Sequence, residues 1–158
     1  MRLIVTGSSG FIGSALCPMA ESAGHALLRY KRGTPWPKWG EFDAVIHLAA
    51  AGVKRARREW ADCMTGNFLL VKELLRAIGQ SGATPRIVLA QSCREREMQK
   101  DLLKWDDPYV VSKRLGSLFA KDWSTHYKGQ VIACNIGPCY APGEVEKVAQ
   151  QLLDAATK

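Results

Sequence analysis

Leu3-Ile4-Val5-Thr6-Gly7-Ser8-Ser9-Gly10-Phe11-Ile12-Gly13 is the stretch that decides the fold. An apolar run short enough for a strand passes into three glycines spaced GxxGxxG. Ile12, Ala15, Leu16, Met19, Ala20 and Ala23 then recur at helical spacing as far as Gly24, which reads as a C-cap. Each glycine has a physical task. Gly7 permits the tight turn, Gly10 lets backbone approach a pyrophosphate that a Cβ would block, and Gly13 allows close packing of helix on sheet. The phosphates would rest on the helix N-terminus, with Ser9, Phe11 and Ile12 completing the loop. A plain turn is the bland alternative, but strand, glycines and helix stand in the order a dinucleotide site requires.

Outward from this unit, short apolar runs alternate with amphipathic stretches. The pattern predicts strands at 25–30, 44–50, 86–90 and 131–135. Helix faces are expected at Val71/Leu74/Leu75/Ile78, at Val111/Leu115/Leu118/Phe119 and at Val145/Val148/Ala149/Leu152/Leu153/Ala156. The run AVIHLAA (44–50) is apolar on both faces, as a strand inside a parallel sheet should be. Strands separated by helices imply right-handed crossovers and a doubly wound α/β sheet covered on both faces. Ligands then bind at the carboxyl ends of the strands, so the loops after strands carry most weight.

Composition narrows the class. The 158 residues are 47% hydrophobic and 23% charged, enough for one compact domain, 1–158, with no separate substrate domain. No apolar run is long enough for a membrane span, and MRLIVTGSSG breaks before a leader's apolar core could form, so a cytoplasmic location is expected. Five scattered cysteines (17, 63, 93, 134, 139) form no CxxC pair, which fits a reducing compartment and leaves no metal site; His25, His47 and His126 have no partners at ligand spacing. A net charge of +7 favours anionic partners.

Where an acidic residue would grip the ribose 2′-hydroxyl of NAD, at the end of the second strand, the chain has Arg29-Tyr30-Lys31-Arg32. Cations Arg29, Lys31 and Arg32 suit a 2′-phosphate, so NADP is preferred to NAD. Tyr109-Val110-Val111-Ser112-Lys113 is a YxxxK spacing that places phenol and ammonium on one helix face. An adjacent cation is expected to lower the tyrosine's pKa towards the useful range. Ser92, at the end of the strand before it, would orient a carbonyl or alcohol towards Tyr109.

VTGSSGFIG (5–13), DAVIHLAA (43–50), Asn67 opening a helix, Ser92, YVVSK (109–113) and NIGPCYAPG (135–143) stand in the order found in extended short-chain dehydrogenase/reductases. From Met1 to about Gly143 the chain resembles their NAD(P)-dependent epimerase/dehydratase group, most of which act on nucleotide sugars. The resemblance implies a Rossmann-like fold, a Ser92/Tyr109/Lys113 catalytic trio, and Asn67 supporting a proton-relay water. It also implies Leu48, Ala49 and Ala50 lining the adenosine side, and a homodimer through the helices beginning near Asn67 and Tyr109. Three departures stand out. About a dozen residues between the second strand and Asp43 leave no room for the usual third strand. The run Arg94-Glu95-Arg96-Glu97-Met98-Gln99-Lys100 replaces an apolar loop, and the substrate domain of relatives has no counterpart before Lys158.

Two classes of function are expected to compete. One is an oxidoreductase or epimerase moving hydride between NADP and a carbinol or carbonyl substrate; the other is a non-catalytic NADP(H)-binding sensor or interaction module. The intact trio favours the first, the missing substrate half the second. Lys54-Arg55-Ala56-Arg57-Arg58 reads first as a solvated cationic face and, lying beside the expected cofactor cleft, equally as a patch that steers a nucleotide diphosphate into place; nucleic acid is a distant third reading because no recognition motif or interleaved aromatics accompany it.

Overall fold

The structure, a computed structural model, describes residues 1–54, 56, 58–95, 106–139 and 143–158. Strands β1 (Arg2–Thr6), β2 (Ala26–Tyr30), β3 (Ala44–His47), β4 (Arg86–Ser92) and β5 (Val131–Ile136) form one sheet in the order β2-β1-β3-β4-β5. Every pairing is parallel. Successive connections run outward from β1 to β2 and then cross to the other side at β3, so the switch point lies between β1 and β3. This is the doubly wound, Rossmann-like architecture that the strand and helix pattern predicts.

Period-2 alternation sorts the central strands onto two cores. Leu3, Val5, Ala44, Ile46 and Val88 pack against helices α1 (Phe11–Ser22) and α5 (Glu144–Thr157). Ile4, Val45, Ile87 and Leu89 face the opposite side, under α3 (Leu70–Ser81) and α4 (Pro108–Tyr127). The C-terminus of α1 closes as a Schellman motif: Gly24, at φ +79°, donates to Glu21 O and His25 donates to Ala20 O. No helix among the described residues is long and apolar enough to cross a membrane.

The strand expected to be missing between β2 and β3 is replaced by aromatic packing. Tyr30 and Trp36 stack with ring centroids 4.0 Å apart, Trp36 leans on Trp39 at 5.4 Å, and Trp39 is buried in the core under α3. A parallel strand needs a crossover of a dozen residues or more in addition to the strand itself, and the segment is too short for both.

Two expectations need correction. Asn67 does not open a helix: helical structure starts at α2 (Trp60–Cys63) and passes through a π-helical turn, Met64–Leu69, into α3. The widened turn lies where the helix abuts the loop after β3, since a Cβ on Gly66 would sit 2.7 Å from Ala51 Cβ. The buried face of α4 is Val110, Ser112, Gly116, Ala120 and Trp123, whereas Leu118 is exposed. Small residues let α4 approach the π turn so closely that a Cβ on Gly116 would lie 2.7 Å from Asn67 O. A search for large apolar residues at helical spacing therefore finds Phe119, which packs on the second core, but misses the small residues of the buried face.

Leu75 is fully buried in the second core. Leu75→Ala is expected to cost about 2–5 kcal/mol in urea-induced unfolding, with the slope unchanged.

Candidate active site

A cleft of about 1080 Å³ runs along the carboxyl edge of the sheet. At one end the β1–α1 loop makes its floor. Gly7 has φ +71°, and a Cβ there would stand 2.6 Å from the Ala49 amide nitrogen; one on Gly13 would stand 2.4 Å from Gly7 O. Gly10 caps α1 with no side-chain hydrogen bond to the first-turn amides. These amides face a concavity with no Cβ at positions 7, 10 or 13, which fits the pyrophosphate of a dinucleotide. Ser9, Phe11, Ile12, Leu48, Ala49, Ala50, Arg29, Lys31 and Arg32 line the same end. Arg29 already pairs with Glu21 at 2.8 Å, and Arg32 Nη2 lies 3.5 Å from where a Cβ on Gly66 would sit, on the far side of the β1–β3 gap.

Ser92, Tyr109 and Lys113 line the other end. The cap of α4 positions the tyrosine: Asp107 Oδ1 accepts from the amides of Tyr109 (3.1 Å) and Val110 (3.3 Å), and Pro108 occupies the first turn. The Ser92 hydroxyl and the phenol line the same stretch of cleft. Burial pushes the phenol's pKa above the ordinary tyrosine value, Glu95 and Cys93 add to the rise, and Ser92 and Arg58 oppose it. This corrects the expectation that Lys113 lowers it. The lysine's Nζ instead donates to Ala90 O at 2.5 Å. Deep in the cleft floor, burial holds the ammonium's pKa below the ordinary lysine value, partly offset by Glu95.

Asn67 does not reach the cleft. Its Oδ1 accepts from Ala51 N at 2.8 Å, while Nδ2 donates to Ala51 O (3.0 Å) and Ser112 Oγ (2.9 Å). Its side chain therefore ties the β3 loop to α4 in a buried polar junction.

Two residues have buried pairings at the site that the sequence reading did not give them. Glu95 is 3% exposed; Oε1 accepts from Ser92 N at 2.8 Å and Oε2 from the Ser117 hydroxyl at 2.5 Å. Its only sequence signal was the charged run replacing an apolar loop; the rest of that run, residues 96–100, lies outside the described residues. Arg58 is no solvated cation: its side chain is 13% exposed, pairs with Asp107 at 2.6 Å and lies 5.2 Å from the Tyr109 ring centroid. Lys54 lines the cleft, Arg55 and Arg57 lie outside the described residues, and so do 140–142 of the NIGPCYAPG segment. Among the described residues no three His, Cys, Asp or Glu side chains gather at metal-binding geometry.

His47 closes the floor of β3. Its Nδ1 meets Thr6 Oγ1 at 2.9 Å, and Nε2 has no partner among the described residues. Desolvation, with Lys113 adding to it, brings its pKa down to about 3.

Against known proteins, residues 36–158 match the model of the NAD dependent epimerase/dehydratase family. The chain belongs to that family. It is 36% identical over 107 residues to an epimerase family protein of Mycobacterium leprae, a match covering 58% of this chain and 31% of the relative. Among solved structures, UDP-N-acetylglucosamine 4-epimerase from Bacillus cereus superposes with a TM-score of 0.78 at 16% identity, over 100% of this chain and 72% of that one. RMD from Pseudomonas aeruginosa, complexed with NADPH, gives 0.69 at 27% identity over 90% and 56%. UDP-glucuronic acid 4-epimerase from Bacillus cereus, in complex with NAD, gives 0.69 at 19% over 90% and 57%. The chain thus spans about a third of the curated relative and between half and three quarters of these structures.

Two predictions follow from the geometry. Gly13→Ala forces backbone apart at Gly7 and is expected to lower stability by about 1–3 kcal/mol in denaturant unfolding. His47 is neutral in the fold and has an ordinary pKa near 6.5 when unfolded, so its contribution is complete above pH 6.5. As pH falls from 6.5 towards 3 the unfolded chain takes a proton that the fold refuses, removing about 1.4 kcal/mol per unit. Urea titrations should show wild type losing stability more steeply than His47→Asn between pH 6 and 4; equal slopes would refute the neutral imidazole.

Proposed function

We propose that the chain binds NADP in preference to NAD along this cleft and acts as an NAD(P)-dependent, epimerase/dehydratase-like oxidoreductase on a carbinol or carbonyl substrate of the nucleotide-sugar kind. One observation carries the reading: a glycine cradle and the Ser92, Tyr109 and Lys113 side chains line a single cleft. Supporting it, the described lining residues include seven cations, Arg29, Lys31, Arg32, Lys54, Arg58, Arg94 and Lys113, and no carboxylate. That balance suits a ligand with several phosphates. NADPH and NAD in the structural neighbours, and the uridine-diphosphate sugars in their names, are of the same chemistry.

When bound, the nicotinamide supplies hydride exchange with the carbon that bears the reacting oxygen. Ser92 would hold that oxygen beside Tyr109, and the phenol would give or take the hydroxyl proton. Lys113 would turn from Ala90 O to the ribose hydroxyls. Residues 1–158 are read as one cofactor-binding unit, working in a cytoplasm that keeps its five free cysteines reduced. The exposed Leu69 and Leu118, on neighbouring helical elements, would serve a homodimer contact. A second reading, a cofactor-binding sensor without turnover, is favoured by the raised pKa of Tyr109 and the engagement of Lys113 with Ala90.

Calorimetric titration with NADPH, NADP, NADH and NAD tests the cofactor. In Arg29→Ala/Lys31→Ala, affinity for the 2′-phosphorylated forms is expected to fall about 10- to 100-fold, while NAD binding stays within about twofold. Equal losses for both cofactors would sink the 2′-phosphate assignment. Tyr109→Phe should keep cofactor affinity and lose turnover of nucleotide sugars; wild type that binds cofactor without turning over any of them would favour the sensor.

A further inference from the structure

We propose that Arg58, clamped by Asp107, is the positioning residue that supplies Tyr109 with its facing cation, the task that the YxxxK spacing assigns to the lysine. The inference rests on the reading of Tyr109 as the proton-transfer group.

The geometry separates the two cations. Lys113 Nζ donates to the Ala90 carbonyl. The Arg58 guanidinium, from the segment before α2, is fixed by Nε donating to Gly52 O at 2.9 Å and Nη1 to Asp107 Oδ2 at 2.6 Å. So held, it lies over the Tyr109 ring, 5.2 Å from the centroid, and lines the cleft. Asp107 is also the cap that fixes the first turn of α4 through the amides of Tyr109 and Val110. One carboxylate therefore sets both the position of the phenol and that of the cation above it.

A cation over an aromatic face is attracted to the ring's electron density, and the attraction grows when the phenol ionises and negative charge spreads into the ring. Arg58 thus stabilises the phenolate more than the phenol. The planar fork suits the double anchor on Asp107 and Gly52 in a way a flexible ammonium does not. The groups that face Tyr109 come from three segments. After β4, the Ser92 hydroxyl favours ionisation of the phenol while Cys93 and the Glu95 carboxylate oppose it. From α4 and its cap come Lys113, turned to Ala90, and Asp107, which Arg94 also pairs with at 3.1 Å. From the segment before α2 comes Arg58, the cation that favours the phenolate. Burial is the largest influence and works against ionisation, with Ser92 and Arg58 opposing it.

The test needs no cofactor. The full chain, labelled with 3,5-difluorotyrosine so that the phenols ionise nearer neutral pH, is titrated by ¹⁹F NMR, with the Tyr109 resonance identified by its loss in Tyr109→Phe. In Arg58→Leu the Tyr109 midpoint is expected to rise by roughly 0.4–1.5 pH units while Tyr30 and Tyr127 stay put, and Arg58→Lys should recover part of the shift. Arg58→Gln, which keeps a donor towards Asp107 or Gly52 without the charge, gives the same reading if the leucine variant does not fold. An unmoved midpoint in a folded neutral variant overturns the proposal, as does an equal rise in Arg58→Lys. Failure of all four nicotinamide cofactors to bind would overturn the proposed function and leave the Arg58 titration standing.

Discussion

Between Gly7 and the end of β3 there is no room for a single carbon: a Cβ at Gly7 would stand 2.6 Å from the Ala49 amide nitrogen. Backbone meets backbone at the switch point of the sheet, and the rest of the cleft inherits its geometry from that contact. Thr6, the last residue of β1, offers its hydroxyl to both the Ala49 amide (3.3 Å) and His47 Nδ1 (2.9 Å), so the two strand ends are locked side by side. The loop continuing from Ala49 reaches Ala51, whose amide and carbonyl are both held by Asn67. Asn67 in turn bonds Ser112 of α4, between Tyr109 and Lys113. A chain of short polar contacts thus connects the glycine loop to the tyrosine helix through buried residues, and each link loses its partner if the strands part.

The sheet was legible because its signals are local. Apolar runs of strand length, glycines at 7, 10 and 13 and helical repeats between them depend only on neighbours in sequence, and the two cores follow from period-2 alternation. The face of α4 was legible only at Phe119, because close packing at Gly116 and Ser112 selects small residues that carry no hydrophobic signal. Nor was the π turn, which depends on where Ala51 falls against Gly66. The cleft positions of Ser92, Tyr109 and Lys113 were readable from spacing and order; the buried pairings of Glu95 and Arg58 were not. Charged residues in charged runs look solvated until the fold brings a partner from far along the chain, 49 positions away for Arg58 and Asp107. The expected effect of Lys113 on Tyr109 went wrong for the same reason: spacing fixes a shared face, whereas the direction of the ammonium depends on a strand carbonyl 23 positions earlier.

The cations and anions of the cleft are arranged in two layers. Arg29, Arg58, Arg94 and Lys113 line it, while the acids that act on them stand behind. Glu21 holds Arg29 at 2.8 Å, Asp107 holds Arg58 at 2.6 Å and Arg94 at 3.1 Å, and Glu95 acts on Lys113 through the field rather than by contact. A buried cation without a carboxylate would tend to lose its proton or its place, and a carboxylate in the lining would repel phosphates. Asp107 and Glu95 thus act on the cations from behind the lining, and the surface offered to a ligand carries no carboxylate among the described residues. Asp107 is the most economical member, because the same carboxylate caps α4, fixes two arginines and thereby holds Tyr109 at the junction of the phosphate-binding and reacting ends of the cleft.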